Sequence, residues 1–190
     1  MEAFSDGVLA IIITIMVLEL KVPHGTELAV LRPLLPVFIS YVLSFVYVGI
    51  YWNNHHHLMH AANRVNGRIL WANLHVLFWL SLVPFTTAWM GENRFAPWPV
   101  ALYGIVLLFA AVAYFILTRT LIAAHEKDSA LAKSIGSDVK GKISLVMYAA
   151  GIPLSLLQPW IAYALYVLVA VMWLVPDRRI ERRLNEPMHP

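Results

Sequence analysis

Residues 8–18 carry no charge, and a compact polar group, Phe4-Ser5-Asp6-Gly7, stands immediately before them; Glu19, Lys21 and Pro23 follow. A helix that is apolar on every face and opens on an Asp within its first turns is a poor choice for a water-soluble domain. Polar groups inside hydrocarbon are costly, so such an Asp marks a candidate functional site. Similar apolar stretches recur down the chain. At about 20 residues per bilayer crossing, six are predicted, over residues 4–22, 34–58, 69–90, 98–123, 143–158 and 159–175. Proline and glycine punctuate them: Pro23 and Gly25, Pro33 and Pro36, Gly91, Pro97 and Pro99, Pro153, and Pro176. The last two segments are short and nearly contiguous. They read as a tight hairpin of spans, with a re-entrant pair as the alternative.

Composition agrees. The 190 residues are 60% hydrophobic and 13% charged, with a mean hydropathy of +0.68, where soluble domains are about 25% charged. The expected fold class is an all-α integral membrane protein, with a transmembrane domain over residues 1–176 and a basic tail over 177–190. The net charge of +3 reports topology and contact with anionic lipid, not nucleic acid, because no basic stripe with interleaved aromatics exists. Without cysteine there are no disulfides and no thiolate chemistry. A cleaved signal peptide would need a basic region before the apolar stretch and a small-residue cleavage site after it. Glu2 precedes the stretch and Leu18-Glu19-Leu20-Lys21 follows it, so none is expected. Of the 14 Lys and Arg, 11 fall on the side of the termini and 3, Lys21, Arg32 and Arg94, on the other. Positive-inside bias then places both termini in the cytoplasm.

The run FSDGVLAIIITIMVLELKVP resembles the first helix of the transmembrane protein 175 family, lysosomal and prokaryotic potassium channels without the usual filter loop. A plain signal anchor accounts for the apolar run but not for the Phe-Ser-Asp-Gly group. The resemblance extends to helix number, to the W-x-x-H-H stretch at Trp52–His56, and to the charged linker before the last two helices. Phe-Ser-Asp occurs once, so the chain looks like the single-copy prokaryotic form. The family's usual arginine shortly before the signature has no counterpart in this sequence.

On a helical wheel Phe4, Gly7, Ile11, Thr14 and Leu18 form one stripe with Ile15 on its flank. From spacing alone, this stripe is as consistent with packing on a neighbouring helix as with a pore. The resemblance implies a pore: four first helices around one axis in a homotetramer, Ile11 at the narrowest ring, Thr14 and Ile15 along the path, and Leu18 toward the far side. It also implies a network from Phe4, Ser5, Asp6 and Gly7 to Trp52, His55, His56, Asn73 and His75. Ser5 and Asp6 otherwise read as helix N-caps. The implied location is the prokaryotic plasma membrane, the permeant ion is potassium, and the partners are lipid and further copies of the chain. No cofactor is expected.

Other chemistries are weaker. His56 and His60 lie i, i+4 on one helical face, but zinc needs further ligands, and neither a Cys nor another His or carboxylate pair stands near them in sequence. No metal site is expected; a polar helix terminus or a pH-sensitive rim explains the histidines. No H-E-x-x-H or G-x-S-x-G exists, so no enzyme is expected. A transporter using Asp6 and His75 would call for broken helices at a midplane site, at which only Pro153 hints. A non-conducting scaffold is the remaining alternative.

Overall fold

Proline sets most of the helix boundaries. The computed structural model describes residues 1–60, 65–124 and 138–174. Among them lie seven α-helices: α1 (Glu2–Leu18), α2 (Leu35–His60), α3 (Gly67–Ser81), α4 (Val83–Glu92), α5 (Pro97–Ala124), α6 (Val139–Leu157) and α7 (Pro159–Leu174). A 3-10 helix, Leu28–Leu34, leads into α2. The linker residues 125–137, Arg64 and the basic tail lie outside the described residues.

Three boundaries differ from expectation. Helix α1 stops at Leu18 rather than at residue 22, because Pro23 bars the helical conformation at the residue before it and the chain leaves the helix a turn earlier. The segment expected as one helix over 69–90 is two, α3 and α4, separated at Leu82. Pro84 is the cause: it has no N–H to donate one turn back, and its ring crowds the Leu80 carbonyl. Helix α6 starts at Val139, not 143, because Asp138 caps it, its carboxylate accepting from the Gly141 amide at 2.9 Å.

Helix α5 is the hub. Val106, Ala110, Leu117 and Leu121 pack in one apolar cluster with Leu9, Ile12 and Met16 of α1 and Val76 and Leu80 of α3. Val100, Tyr103 and Leu107 pack in a second with Tyr47 of α2, Tyr148 of α6 and Tyr166 of α7. Tyr166 sits against Gly104 and Gly151; a Cβ at Gly104 would strike its hydroxyl, and one at Gly151 would lie 2.6 Å from its ring. A buried polar trio, Ser44, Thr87 and Tyr103, joins α2, α4 and α5, with oxygen separations of 2.6 and 2.9 Å.

Many large apolar side chains remain uncovered, among them Phe38, Phe78, Phe85, Trp98 and Leu168. On a soluble monomer that surface would be an aggregation hazard; against lipid it is at home. Three helical stretches, Leu28–His60, Gly67–Glu92 and Pro97–Ala124, are long and apolar enough to cross a membrane. Helices α1 and α7, with 17 and 16 residues, are shorter.

Candidate functional site: the first helix and its polar contacts

Helix α1 shows the rest of the chain only one face. Ser5, Leu9, Ile12 and Met16, at steps of four, three and four, are buried, and α2, α3 and α4 are the main neighbours of α1. The opposite stripe is open: Phe4 is 59% exposed, Ile11 57% and Leu18 78%, and Gly7 and Thr14 are exposed as well. A Cβ built on Gly7 would meet nothing within 4 Å. Ile11 and Ile15 also form one wall of a groove of about 590 Å³ whose other wall is Phe85, Ala88 and Trp89 of α4.

The Thr14 hydroxyl donates to the carbonyls of Ala10 and Ile11, each at 3.0 Å. A hydroxyl has one proton and two lone pairs. With the proton turned back into the helix, the oxygen keeps a lone pair for a cation beside the stripe.

The first turn carries two separate sets of polar contacts. The inner set is a chain of three side chains from three helices. Asn73 Nδ2 donates to Ser5 Oγ at 2.9 Å, and His55 Nε2 lies 2.6 Å from Asn73 Oδ1. With Nδ2 donating, Oδ1 accepts, so His55 carries its proton on Nε2. His55 Nδ1 is then a buried lone pair without a partner. Ser5, His55 and Asn73 are at most 2% exposed. The Ser5 hydroxyl completes its bonding by donating to the Met1 carbonyl at 3.3 Å.

The outer set lies at the surface. Trp52 Nε1 donates to Asp6 Oδ1 at 3.1 Å, and Trp52 is 45% exposed. The His56 ring stacks on Trp52 with centroids 5.8 Å apart and planes at 24°. Glu2 Oε1 stands 3.0 Å from His56 Nδ1 and 3.4 Å from His60 Nε2. The first contact has ion-pair distance but lacks the alignment of a hydrogen bond, which leaves His56 Nδ1 enclosed without one.

Of the residues singled out by sequence, then, Ser5, His55 and Asn73 are joined directly, and Asp6, Trp52 and His56 form a neighbouring patch. His75 is bonded elsewhere, accepting on Nε2 from Trp79 one turn along α3 at 3.0 Å. Phe4 and Gly7 face away from both sets. Sequence reasoning did not single out Glu2, which meets residues more than fifty positions away. Past the C-terminal end of α1, Lys21 pairs with Glu92 at 2.7 Å on the surface; its hydrogen bond to that carboxylate, and then the carboxylate's charge, raise the Lys21 pKa.

The model of the TMEM175 family, described as the endosomal/lysosomal potassium channel TMEM175, matches residues 1–84, the stretch that holds both polar sets and the open stripe. A potassium channel of Chryseobacterium sp. (strain P1-3) is 57% identical over 186 residues, covering 98% of this chain and 97% of the relative. The chain belongs to the TMEM175 family. The crystal structure of a lysosomal potassium-selective channel TMEM175 homolog from Chamaesiphon minutus superposes with a TM-score of 0.74 at 25% identity, over 92% of this chain and 94% of that one. The endosomal/lysosomal proton channel TMEM175 of Gallus gallus is 28% identical over 67% of this chain, which matches only 28% of that longer protein. This family member is a membrane channel protein and not an enzyme, and the family works without a cofactor.

Proposed function

We propose that this chain is one subunit of a homotetrameric, potassium-selective channel whose pore is lined by four copies of α1. The observation that carries the reading is the open Gly7–Ile11–Thr14–Leu18 stripe, left uncovered by a subunit that buries the other face of the same helix. Potassium channel is the name borne by the Chryseobacterium relative. One chain supplies one such helix, so a pore requires several copies. All six apolar segments cross the bilayer in this reading, α3 and α4 together making one crossing. Residues 1–176 form the channel domain, and both termini, including the basic tail 177–190, lie in the cytoplasm of a prokaryotic cell.

No Thr-Val-Gly-Tyr-Gly segment exists in the sequence, so a ring of backbone carbonyls is not the source of selectivity. Ile11 side chains converging on one axis form an apolar constriction that blocks by dewetting and conducts when widened. Potassium crosses it more readily than sodium because its charge is spread over a larger radius and its water is shed at lower cost. Thr14 oxygens, one turn further on, replace part of the lost hydration. Asp6 and His75 stand in different contact sets, which gives a coupled transporter no common site to work from.

The test is current through purified protein in a planar bilayer with potassium on one side and sodium on the other. A reversal potential favouring potassium, at rates above any carrier cycle, supports the proposal. A current that follows an imposed pH gradient and ignores potassium would instead align this chain with the proton channel named for the Gallus gallus relative. No current from intact oligomers would leave a scaffold.

A further inference from the structure

We infer that Glu2, His56 and His60 form a binding site for one divalent first-row transition metal ion, zinc above all, which staples the first turn of α1 to the last turn of α2. The sequence offered two imidazoles on one helical face and no third ligand. Folding supplies it. Glu2 Oε1, His56 Nδ1 and His60 Nε2 all lie within 4.8 Å of one another. The carboxylate oxygen is 3.0 Å from one nitrogen and 3.4 Å from the other. Zinc held tetrahedrally with bonds of 2.0–2.1 Å sets its ligand atoms about 3.3 Å apart. The carboxylate therefore already stands at ligand spacing from both nitrogens, and a closing movement of His60 toward His56 Nδ1, from within 4.8 Å, completes the set.

The chemistry selects the ion. Two imidazoles and one carboxylate suit zinc, nickel, cobalt or copper, while calcium and magnesium demand oxygen ligands. His56 Nδ1 is enclosed and makes no hydrogen bond, which is a cost unless something takes its lone pair. A metal ion does. The ring is also oriented in advance: it stacks on Trp52, whose indole N–H is fixed by Asp6. Such outer contacts commonly set the aim of a ligating imidazole. The His56 and His60 rings meet edge to face with centroids 4.3 Å apart, so both can address one point. The His60 side chain is 64% exposed, leaving the fourth position to water. The site lies about 14 Å along α1 from Ile11, at 1.5 Å per residue, so an ion held there does not stand beside that residue.

The full chain in lipid nanodiscs, stripped with a chelator, is titrated with zinc chloride by calorimetry, and with cobalt chloride by visible absorption. One saturable zinc per subunit is expected, with a visible cobalt band of tetrahedral type and a zinc-dependent rise in melting temperature. Glu2→Gln and His60→Gln should each weaken the zinc Kd at least tenfold, while His57→Gln, on an exposed neighbouring ring, should stay within about twofold of the wild type. His60→Gln is the deciding variant, because its exposed side chain can change without disturbing the fold; its melting temperature in chelator should equal the wild-type value. Absence of saturable zinc binding in the wild type overturns the inference. So does a His60→Gln protein that is folded and binds zinc as the wild type does.

Discussion

Compare the two faces of α1: Ser5, Leu9, Ile12 and Met16 on one, Gly7, Ile11, Thr14 and Leu18 on the other. Both consist of aliphatic side chains with a few small or polar residues. One is sealed within the chain's own core and the other is open. In a soluble helix the outward face would be charged and the contrast would be visible as amphipathicity. Here it is not, because inside a membrane an outward face need not be charged: lipid or an apolar constriction between helices is as apolar as a protein core, so hydrophobicity does not distinguish the two faces. What marks the inward face is a single polar residue whose partners are also buried: Ser5, bonded to Asn73, bonded to His55.

The inward face should therefore fail by losing stability and the outward face by changing permeation. Asn73→Ala attacks the first most severely. It removes the middle member of a dry chain and leaves Ser5 and His55 short of partners, at about 1–3 kcal/mol for each stranded group. Unfolding in lipid bicelles should show a loss of about 2–6 kcal/mol, with potassium-over-sodium preference unchanged in the protein that survives. A variant as stable as the wild type would remove the chain from the account of what anchors α1.

Ile11→Asn tests the other face. The number of side-chain heavy atoms is unchanged, but an amide wets where an isoleucine does not. Potassium flux into liposomes should rise about tenfold, equivalent to about 1.4 kcal/mol off the barrier, and discrimination against sodium should fall. Stability should move by no more than about 0.5 kcal/mol, as for an exposed site. If Ile11 instead packs against a helix, the buried amide will lower stability and flux will not rise. The two readings predict opposite signs.

Asp6→Ala sharpens the boundary between the faces. A charged residue in a buried network would cost several kcal/mol on losing its partner. Asp6 is only half-buried and has one bond to a partly exposed indole, so its loss should cost about 1 kcal/mol by the same bicelle measurement. Thr14→Val is the mildest change. It removes an oxygen whose lone pair faces the stripe, and the potassium-to-sodium permeability ratio should fall about twofold with the fold intact. A shift in melting temperature with no shift in reversal potential would return Thr14 to a role inside its own helix.

The helical pattern was legible because its punctuation is chemical. Pro36 and Pro97 bar helix continuation or fit first turns, and those boundaries match to within a residue or two: 34–58 against Leu35–His60, and 98–123 against Pro97–Ala124. Pro84 was not legible as a break. Proline inside an apolar run is equally compatible with a kink or with a new first turn, and only packing decides. Asp138 was overlooked as a cap because the charged linker before it hid the start of α6. Ser5, Asn73 and His55 could be proposed as neighbours because their depths along the helices agree. Nothing in the sequence fixes the rotation of one helix against another, so it could not say that Ser5 rather than Asp6 faces Asn73, that His75 turns to Trp79, or that Glu2 reaches His56 and His60.

The polar bonds to Ser5 and Asp6 gather at one end of α1, whereas toward the far end α1 is held by the apolar packing of Ile12 and Met16 and by a surface ion pair between Lys21 and Glu92, of a kind worth about 0–1 kcal/mol. Mechanically the polar end is the natural pivot, because hydrogen bonds fix direction and apolar packing does not. At 1.5 Å per residue, Ile11 sits about 9 Å and Leu18 about 20 Å from the pivot at Ser5. A tilt of about 10° then swings Leu18 by about 3.5 Å and Ile11 by only about 1.5 Å. Displacement in such a tilt grows toward Leu18, so the part of the open stripe nearest the pivot moves least, and Ile11 moves far only when the pivot itself gives way.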